Sequence, residues 1–269
     1  MMYDIKVGFC GVGNMAGAIL NAALASEVLV PKQVYAYNPT QEKLEGFQEK
    51  GVKVVQSNRK VVENCDLIFL GFKPQKFEEI GKSLYGLFRN KCVVSMLAGV
   101  SIEKIKEVLG HDVHVIRVMP NTPMVIAKGC TVVARPDGVP KHFVDPVMTI
   151  FQVSGATMIV EENEINRTIP LSSSSPAFFF RFIRAMMNAG IKSGIDRDTA
   201  YELARATMHG VSHLMQESLK TPDELIAQVT SPGGTTLAAL TAFDEYHFED
   251  MVEAAFERAI LRADELGRG

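Results

Sequence analysis

The sequence lacks the features from which several classes of protein are built. No stretch approaches the roughly 18 consecutive apolar residues of a membrane helix, and the N-terminus has no apolar segment long enough for a signal peptide. No basic cluster offsets the net charge of −3, so neither nucleic acid nor an anionic membrane is an expected partner. We therefore expect a cytoplasmic, soluble protein that binds no nucleic acid and no membrane.

Cysteines are few, and none forms a C-x-x-C pair. The four are Cys10, Cys65, Cys92 and Cys130, and they lie in or beside apolar runs. This placement predicts buried free thiols, which fit a reducing compartment.

The usual catalytic motifs are missing as well. There is no serine nucleophile elbow, no Walker loop and no cysteine cluster. His209 and His213 have the i, i+4 spacing of metal ligands, but they lack a zincin glutamate and a third ligand, so we predict no metal site. A reaction that needs little acid–base catalysis fits this composition.

What is present is a regular alternation of strand and helix in the first half of the chain. Apolar runs predict strands at 5–9, 33–37, 52–55, 67–70, 92–96, 113–118, 131–134 and 157–160. Amphipathic patterns predict helices at 15–25, 41–50, 75–88, 102–109 and 142–151. This order predicts a parallel sheet covered on both faces.

The second half is helical throughout, at 176–192, 196–219, 222–229, 235–243 and 248–266. We therefore predict an α/β fold class: a Rossmann-type parallel-sheet domain at 1–160, followed by an all-α domain at 161–269. The helical domain is small and rich in Ala, Met and Phe, which favours association with a second copy.

A glycine fingerprint lies between the first strand and the first helix. Gly11 permits the tight turn, Gly13 lets the backbone approach a pyrophosphate, and Ala16 lets the helix pack closely on the strand. The predicted nucleotide contacts of this turn are Cys10, Gly11, Val12, Gly13, Asn14 and Met15.

The end of the second strand predicts the choice of dinucleotide. An NAD-binding site usually has a carboxylate there, whereas this chain has Asn38 and Thr40 and no carboxylate before Glu42. Both side chains can donate hydrogen bonds to a 2′-phosphate, so NADP is the predicted cofactor, with NADPH preferred and NADH possible. An ordinary Asn-Pro turn is the alternative interpretation.

Ligands of open α/β sheets bind beyond the carboxyl ends of the strands, where this chain has small or polar segments. The further predicted nucleotide contacts are Asn58, Gly71, Phe72, Lys73, Pro74, Met96, Leu97, Ala98 and Gly99. Lys73 is equally compatible with a solvated loop lysine. Asn121 lies in a stiff loop between two prolines, where it can orient substrate or simply form a turn.

A second polar turn, "TSPGGTT", precedes a predicted helix near the C-terminus. Its backbone N–H groups and hydroxyls can bind a carboxylate, because helix N-termini attract anions and glycines allow close approach. The alternative is a helix cap beside a glycine turn.

This turn, with "VMPNTP", "FKPQ" and "LSSSSPAFFF", resembles the pyrroline-5-carboxylate reductase family over essentially the whole chain. The resemblance implies reduction of the C=N bond of 1-pyrroline-5-carboxylate by NADPH or NADH to give L-proline. It also implies a homodimer, often assembled further, in which the C-terminal helical domains interlock. Each active site would then lie between a nucleotide domain and helical elements of the dimer.

The resemblance also implies roles for single residues. Thr236 matches the family threonine that hydrogen-bonds the ring nitrogen, so it is the predicted catalytic residue. The predicted substrate contacts are Ser231, Gly233, Gly234, Thr235, Thr236 and Asn121. Because a protonated imine is already electrophilic, the enzyme mainly has to align two molecules.

The chain departs from the family pattern at Ser173, where the family has glycine. If that position needs a positive φ or close approach, serine costs stability or constricts the site. Two alternatives therefore stay open: a related NADP-dependent reductase of another cyclic imine or small acid, and a catalytically weak nucleotide-binding regulatory paralogue. The intact "SPGGTT" turn argues against the regulatory paralogue.

Overall fold

A computed structural model describes the backbone of residues 3–268 and the side chains of residues 3–267. The chain divides into two compact units. The first contains the chain up to Ser174 together with the chain from Ala259 onward, and the second contains Ser175–Arg258. These units divide the chain differently from the predicted domains, since 161–174 and the C-terminal residues group with the sheet. The boundary between 160 and 161 stays a prediction.

The first unit is built on one eight-stranded sheet with the order β3-β2-β1-β4-β5-β6-β7-β8. The strands are β1 (Val7–Cys10), β2 (Val34–Tyr37), β3 (Lys53–Val54), β4 (Leu67–Leu70), β5 (Cys92–Ser95), β6 (His114–Met119), β7 (Gly129–Ala134) and β8 (Gly155–Val160). All eight were predicted, to within two residues at each end. Neighbouring strands are parallel, except that β7 runs antiparallel to β6.

The strand order reverses at β1, which lies between β2 and β4. Such a reversal opens a crevice outside the carboxyl ends of the two central strands, and dinucleotides bind there in sheets of this type. The Rossmann-type prediction for the N-terminal region is therefore confirmed.

Helices cover the sheet: α1 (Asn14–Ala25), α2 (Glu45–Glu49), α3 (Asn58–Asn64), α4 (Phe77–Ser83), α5 (Ile102–Leu109), α6 (Lys141–Gln152) and α7 (Ile165–Thr168). One core contains Phe9 and Phe69, stacked with ring centroids 4.7 Å apart, and Phe151. A second core on other strand residues contains Cys10, Ile68 and Phe77. Both faces are apolar because each strand of a parallel sheet is buried on two sides.

Two helix predictions in this unit were wrong in extent. The segment 41–50 is a 3₁₀ turn at Gln41–Lys43 followed by the short α2, in which an interior glycine, Gly46, disfavours helix. The segment 75–88 is helical only as far as Ser83, because Gly86 adopts φ +78° and its N–H donates to the carbonyl of Leu109. The short helices α3 and α7 were not predicted.

The four cysteines are free thiols. Cys10, Cys65 and Cys92 are fully buried, as predicted, whereas Cys130 is only half-buried. Burial raises the pKa of Cys65 and of Cys92 to about 12, so these thiols are protonated and unreactive at neutral pH.

The remaining helices are α8 (Ser175–Lys192), α9 (Arg197–Glu217), α10 (Pro222–Val229), α11 (Thr235–Glu245) and α12 (Phe248–Arg268). They match the predicted helices to within two residues at each end. No strand follows Val160 in the described part of the chain, so the all-α prediction for the C-terminal region is confirmed. The last helix begins in the second unit and ends in the first.

Within the second unit, Phe182 packs near Phe243 and Phe248. Many large apolar side chains are nevertheless exposed, including Phe180 at 67% and Met251 at 61%. Exposure of apolar surface on this scale is typical of a protein interface.

Candidate nucleotide and substrate sites

The glycine turn after β1 fits against the loop after β4 with no room for a side chain. Gly11 adopts φ +90°, and a Cβ there would lie 3.0 Å from the amide nitrogen of Phe72. A Cβ on Gly71 would collide with the carbonyl oxygen of Gly11, and the Gly71 N–H donates to the carbonyl of Cys10 at 2.9 Å. The two loops therefore form one surface at the strand-order reversal.

The N-terminus of α1 opens onto this surface. Its N-cap is Gly13, which offers no side-chain cap, and its first turn contains no acidic residue. The N–H groups of a first helical turn have no intrahelical partner. Because these N–H groups are uncapped and lie at the positive end of the helix dipole, they can bind a pyrophosphate. The turn therefore fits a dinucleotide.

The predicted nucleotide contacts differ in which of their atoms a ligand can reach. The side chains of Cys10, Val12 and Leu97 are at most 2% exposed and belong to the core, so a ligand can reach them only through the backbone. The Oδ1 atom of Asn58 is buried without a hydrogen-bond partner among the described residues. It is therefore an acceptor that a ribose hydroxyl can satisfy.

Asn38 is tied to the backbone rather than free. Its Oδ1 accepts from the N–H of Val12 at 3.1 Å, and its Nδ2 donates to the carbonyl of Thr40 at 3.0 Å. The side chain thus joins the end of β2 to the glycine turn, which the sequence reasoning did not foresee. A contact to the 2′-phosphate stays a prediction; one Nδ2 hydrogen and the exposed Thr40 hydroxyl remain for it.

Lys43 is a candidate that the sequence reasoning missed. A groove of about 400 Å³ is lined by Val12, Gly13 and Asn14 together with Lys43 and Phe47 from the segment after β2. Lys43 forms no ion pair with any described residue. Its ammonium group is therefore available to an anionic group beside the glycine turn. In the sequence, the one indication of this role is that Lys43 lies three residues after Thr40.

The loops after β4 and β5 present the remaining predicted contacts. Lys73 is exposed just before a 3₁₀ turn at Pro74–Lys76, and it forms no ion pair in the part of the chain that is described. Met96, Ala98 and Gly99 are half-buried, and Gly99 adopts φ +82°. A Cβ on Gly99 would collide with the backbone of α12, which packs directly on this loop.

Asn121, after β6, is 8% exposed and holds its own loop in place. Its Oδ1 accepts from the Cys130 N–H at 2.7 Å, and its Nδ2 donates to the Ser172 carbonyl at 3.1 Å. Ser173 donates from its hydroxyl to the Pro120 carbonyl at 3.0 Å. Its φ is not positive, so serine introduces no backbone strain at this position.

The "SPGGTT" turn lies in the second unit and joins α10 to α11. Gly233 adopts φ +67°, and Gly234 is the N-cap of α11 without a side-chain cap. The hydroxyls of Ser231, Thr235 and Thr236 form no hydrogen bond with a described residue. At α10, by contrast, the hydroxyl of Thr221 caps the helix. The start of α11 therefore leaves its N–H groups and three hydroxyls for a ligand, as a carboxylate site requires.

His209 and His213 are adjacent on α9, with ring centroids 4.6 Å apart. Within the described residues, no three His, Cys, Asp or Glu side chains come together in a way that could hold a metal ion. No helix of residues 3–268 is long and apolar enough to cross a membrane.

A Rossmann-type sheet with an uncapped glycine turn, together with a separate helical unit, defines a nucleotide-binding oxidoreductase architecture. Two family models match the chain. The model described as pyrroline-5-carboxylate reductase dimerisation matches residues 162–266, and the model described as NADP oxidoreductase, coenzyme F420-dependent, matches residues 6–99.

Relatives are similar over nearly the full length. The pyrroline-5-carboxylate reductase of Escherichia coli K12 is 33% identical, and the alignment covers 98% of both chains. Pyrroline-5-carboxylate reductase 2 of Bacillus subtilis 168 is 32% identical over 97% of this chain and 95% of its own. The chain therefore belongs to the pyrroline-5-carboxylate reductase family.

Solved structures agree with this assignment. The 1-pyrroline-5-carboxylate reductase of Streptococcus pyogenes is 27% identical with a TM-score of 0.87, covering 97% of this chain and 98% of that one. The Plasmodium falciparum pyrroline carboxylate reductase, solved with NADP bound, has the same fold at 24% identity, with a TM-score of 0.90 over 99% and 100% of the two chains. The match to the dimerisation model supports homo-oligomerisation of this chain.

Proposed function

We propose that this protein reduces 1-pyrroline-5-carboxylate to L-proline with NADPH, and less efficiently with NADH. The observation that carries the proposal is the uncapped start of α11, where three hydroxyls have no hydrogen-bond partner among the described residues. Full-length relatives that carry this activity in their names support it.

The proposed nucleotide site lies along the carboxyl ends of β1, β2, β4 and β5. The N–H groups at Gly13 and Asn14 bind the pyrophosphate. Thr40 and Lys43 face the 2′-phosphate, which makes NADPH the better cofactor. The loop after β5 faces the nicotinamide, and Gly99 lets this loop pack against the backbone of α12. When bound, the reduced cofactor supplies a hydride to carbon.

The proposed substrate site is the "SPGGTT" turn. The N–H groups at the start of α11 and the hydroxyls of Ser231 and Thr235 bind the carboxylate. The hydroxyl of Thr236 orients the ring nitrogen. That nitrogen keeps its proton while its double bond to carbon becomes a single bond, so no side chain has to donate or remove a proton in the hydride step. This fits the absence of a histidine among the residues assigned to the two sites.

The protein's own assembly follows from its exposed helices. We infer a homodimer, or a larger assembly of dimers, that buries the apolar side chains of the second unit, Phe180 and Met251 among them. We assign the protein to the cytoplasm, where its free thiols are stable.

The test is to incubate the purified protein with 1-pyrroline-5-carboxylate and NADPH, and to measure both the fall in absorbance at the nicotinamide band and the proline formed. We expect one proline for each NADPH oxidised. NADPH binding without proline formation would contradict the proposal and favour the regulatory alternative, whereas oxidation with another cyclic imine alone would favour the related reductase.

A further inference from the structure

An arginine is buried in the middle of the sheet. Arg117 is on β6 between apolar neighbours and is only 3% exposed. Its Nη2 donates to Oδ1 of Asn166 at 2.6 Å, and its Nη1 lies 3.7 Å from Oε1 of Glu162. Burial lowers its pKa, while the negative charges of Glu162 and Asp264 act against that shift. A buried cation is costly unless partners compensate it.

Polar contacts connect this arginine to two helices. Through Asn166, whose Nδ2 donates to Oδ1 of Asp264 at 2.8 Å, it is joined to the C-terminal end of α12. Through Glu162, whose Oε1 accepts from the N–H of Ile102 at 2.6 Å, it is joined to the start of α5. We call these four side chains, Arg117, Asn166, Asp264 and Glu162, the Arg117 network.

The loop at 96–101 is held at two points. Its end is held at Ile102, whose N–H donates to Glu162. The end of α12 supports its middle, where Gly99 and Gly267 meet so closely that a Cβ on either would collide with the backbone of the other. Ala98 packs against a cluster of buried apolar side chains that includes Ala263 of α12. The backbone position of this loop is therefore set by Glu162 and by the end of α12, and Arg117 and Asn166 hold these two in place.

Burying the charged groups of this network costs free energy that an apolar core would not, so stability alone does not explain why they are there. Apolar residues of similar volume often stabilise a core as well as a buried charged group does, or better. Here the Nε of Arg117 lacks a partner among the described residues, which adds a desolvation cost. Unlike apolar contacts, the hydrogen bonds of these groups are directional. They fix the end of α12 and the start of α5 at set distances from the sheet.

We propose that the Arg117 network and the end of α12 position the loop at 96–101 for the nicotinamide end of the dinucleotide. The C-terminal turns of the last helix are then part of the nucleotide site, and Arg117, Asp264 and Gly267 are positioning residues. This inference rests on the proposed use of a nicotinamide dinucleotide.

The test uses two ligands that differ only at the nicotinamide end: NADPH, and 2′-phospho-ADP-ribose, which lacks the nicotinamide. Binding of each to the full-length protein is measured by calorimetry for the wild type, Gly267→Ala and Asp264→Asn. The matched control is Gly46→Ala, since a Cβ at that helical glycine meets nothing within 4 Å.

For Gly267→Ala we expect NADPH to bind about tenfold more weakly, while 2′-phospho-ADP-ribose binds within about twofold of the wild type. Turnover should fall on the order of 100-fold, because a displacement of about 1 Å at a reacting centre has that effect. Asp264→Asn keeps the acceptor but removes the charge, so it should show the same selectivity with a smaller loss. Gly46→Ala should resemble the wild type with both ligands.

Equal weakening of the two ligands, or no weakening of NADPH, would overturn the inference. If Gly267→Ala does not fold, the same comparison is made with Asp264→Asn: the inference holds if this variant weakens NADPH more than 2′-phospho-ADP-ribose, and fails otherwise. Binding is measured without substrate, so failure of the wild type to reduce 1-pyrroline-5-carboxylate overturns the proposed function alone. Failure to bind either ligand overturns both.

Discussion

Replacing Asn121 tests how the loop after β6 is held. Asn121→Ala removes the hydrogen bonds to the Cys130 N–H and to the Ser172 carbonyl, made at 2.7 and 3.1 Å. Each such bond contributes about 1 kcal/mol, and a buried N–H left without a partner costs a further 1–3 kcal/mol or so. We expect the free energy of unfolding to fall by about 3–5 kcal/mol.

Asn121→Asp separates the two bonds. The new carboxyl keeps an acceptor for the Cys130 N–H but places an oxygen where Nδ2 donated to the Ser172 carbonyl. Burial and that carbonyl raise the pKa of the new carboxyl above its unfolded value of about 3.9. The protonated form is therefore favoured in the folded state, so this variant should be most stable at low pH and lose stability as the pH rises through the folded pKa.

The measurement is urea unfolding followed by circular dichroism between pH 4 and 8, at one protein concentration because oligomerisation affects stability. The control is Gln56→Glu, an amide-to-carboxyl change at an exposed residue. A loss for Asn121→Asp that does not grow with pH relative to this control would refute the donor role assigned to Nδ2.

Three further predictions follow from the sites. Gly71→Ala should abolish NADPH binding measured by calorimetry, because its Cβ would displace the glycine turn; unchanged affinity would contradict the packing described here. Lys43→Ala should raise KM for NADPH about tenfold but leave KM for NADH unchanged, with the exposed Lys32→Ala as control; equal effects on both would remove Lys43 from the 2′-phosphate site. A thiol reagent at pH 8 should label only Cys130 in the folded protein and all four cysteines in urea; fast labelling of a second thiol in the folded state would contradict this burial. The free energy of unfolding should also fall as the pH rises above 9.0, because the thiols ionise there in the unfolded chain but stay protonated where they are buried.

The elements that the sequence predicted well are those with local signals at both ends. The strand Leu67–Leu70 is a short apolar run, and the helix Pro222–Val229 starts with a threonine cap and a proline, so their bounds were predicted without error. The end of α4 was wrong because it depends on Gly86 bonding to the distant Leu109 carbonyl. A local pattern cannot contain such a contact.

The same distinction holds for the residues of the candidate sites. The turns at Gly11 and Gly233 could be predicted, because backbone geometry at a turn depends on adjacent residues. The bond from Asn38 to Val12 and the chain from Arg117 to Asp264 join residues far apart in sequence. Only a charged residue within the apolar strand "HVIRVM" hinted at the Arg117 network.

The central claim is that the start of α11 binds the substrate, and Thr236 tests it most directly. The measurement is kcat/KM for 1-pyrroline-5-carboxylate at saturating NADPH for the wild type, Thr236→Ala and Thr241→Ala. Among the described residues, the Thr241 hydroxyl donates only to the Leu237 carbonyl of its own helix. We expect Thr236→Ala to lose on the order of 100-fold, as when one oriented donor is removed from an active site, and Thr241→Ala to match the wild type. Equal activity of the two variants would contradict the account.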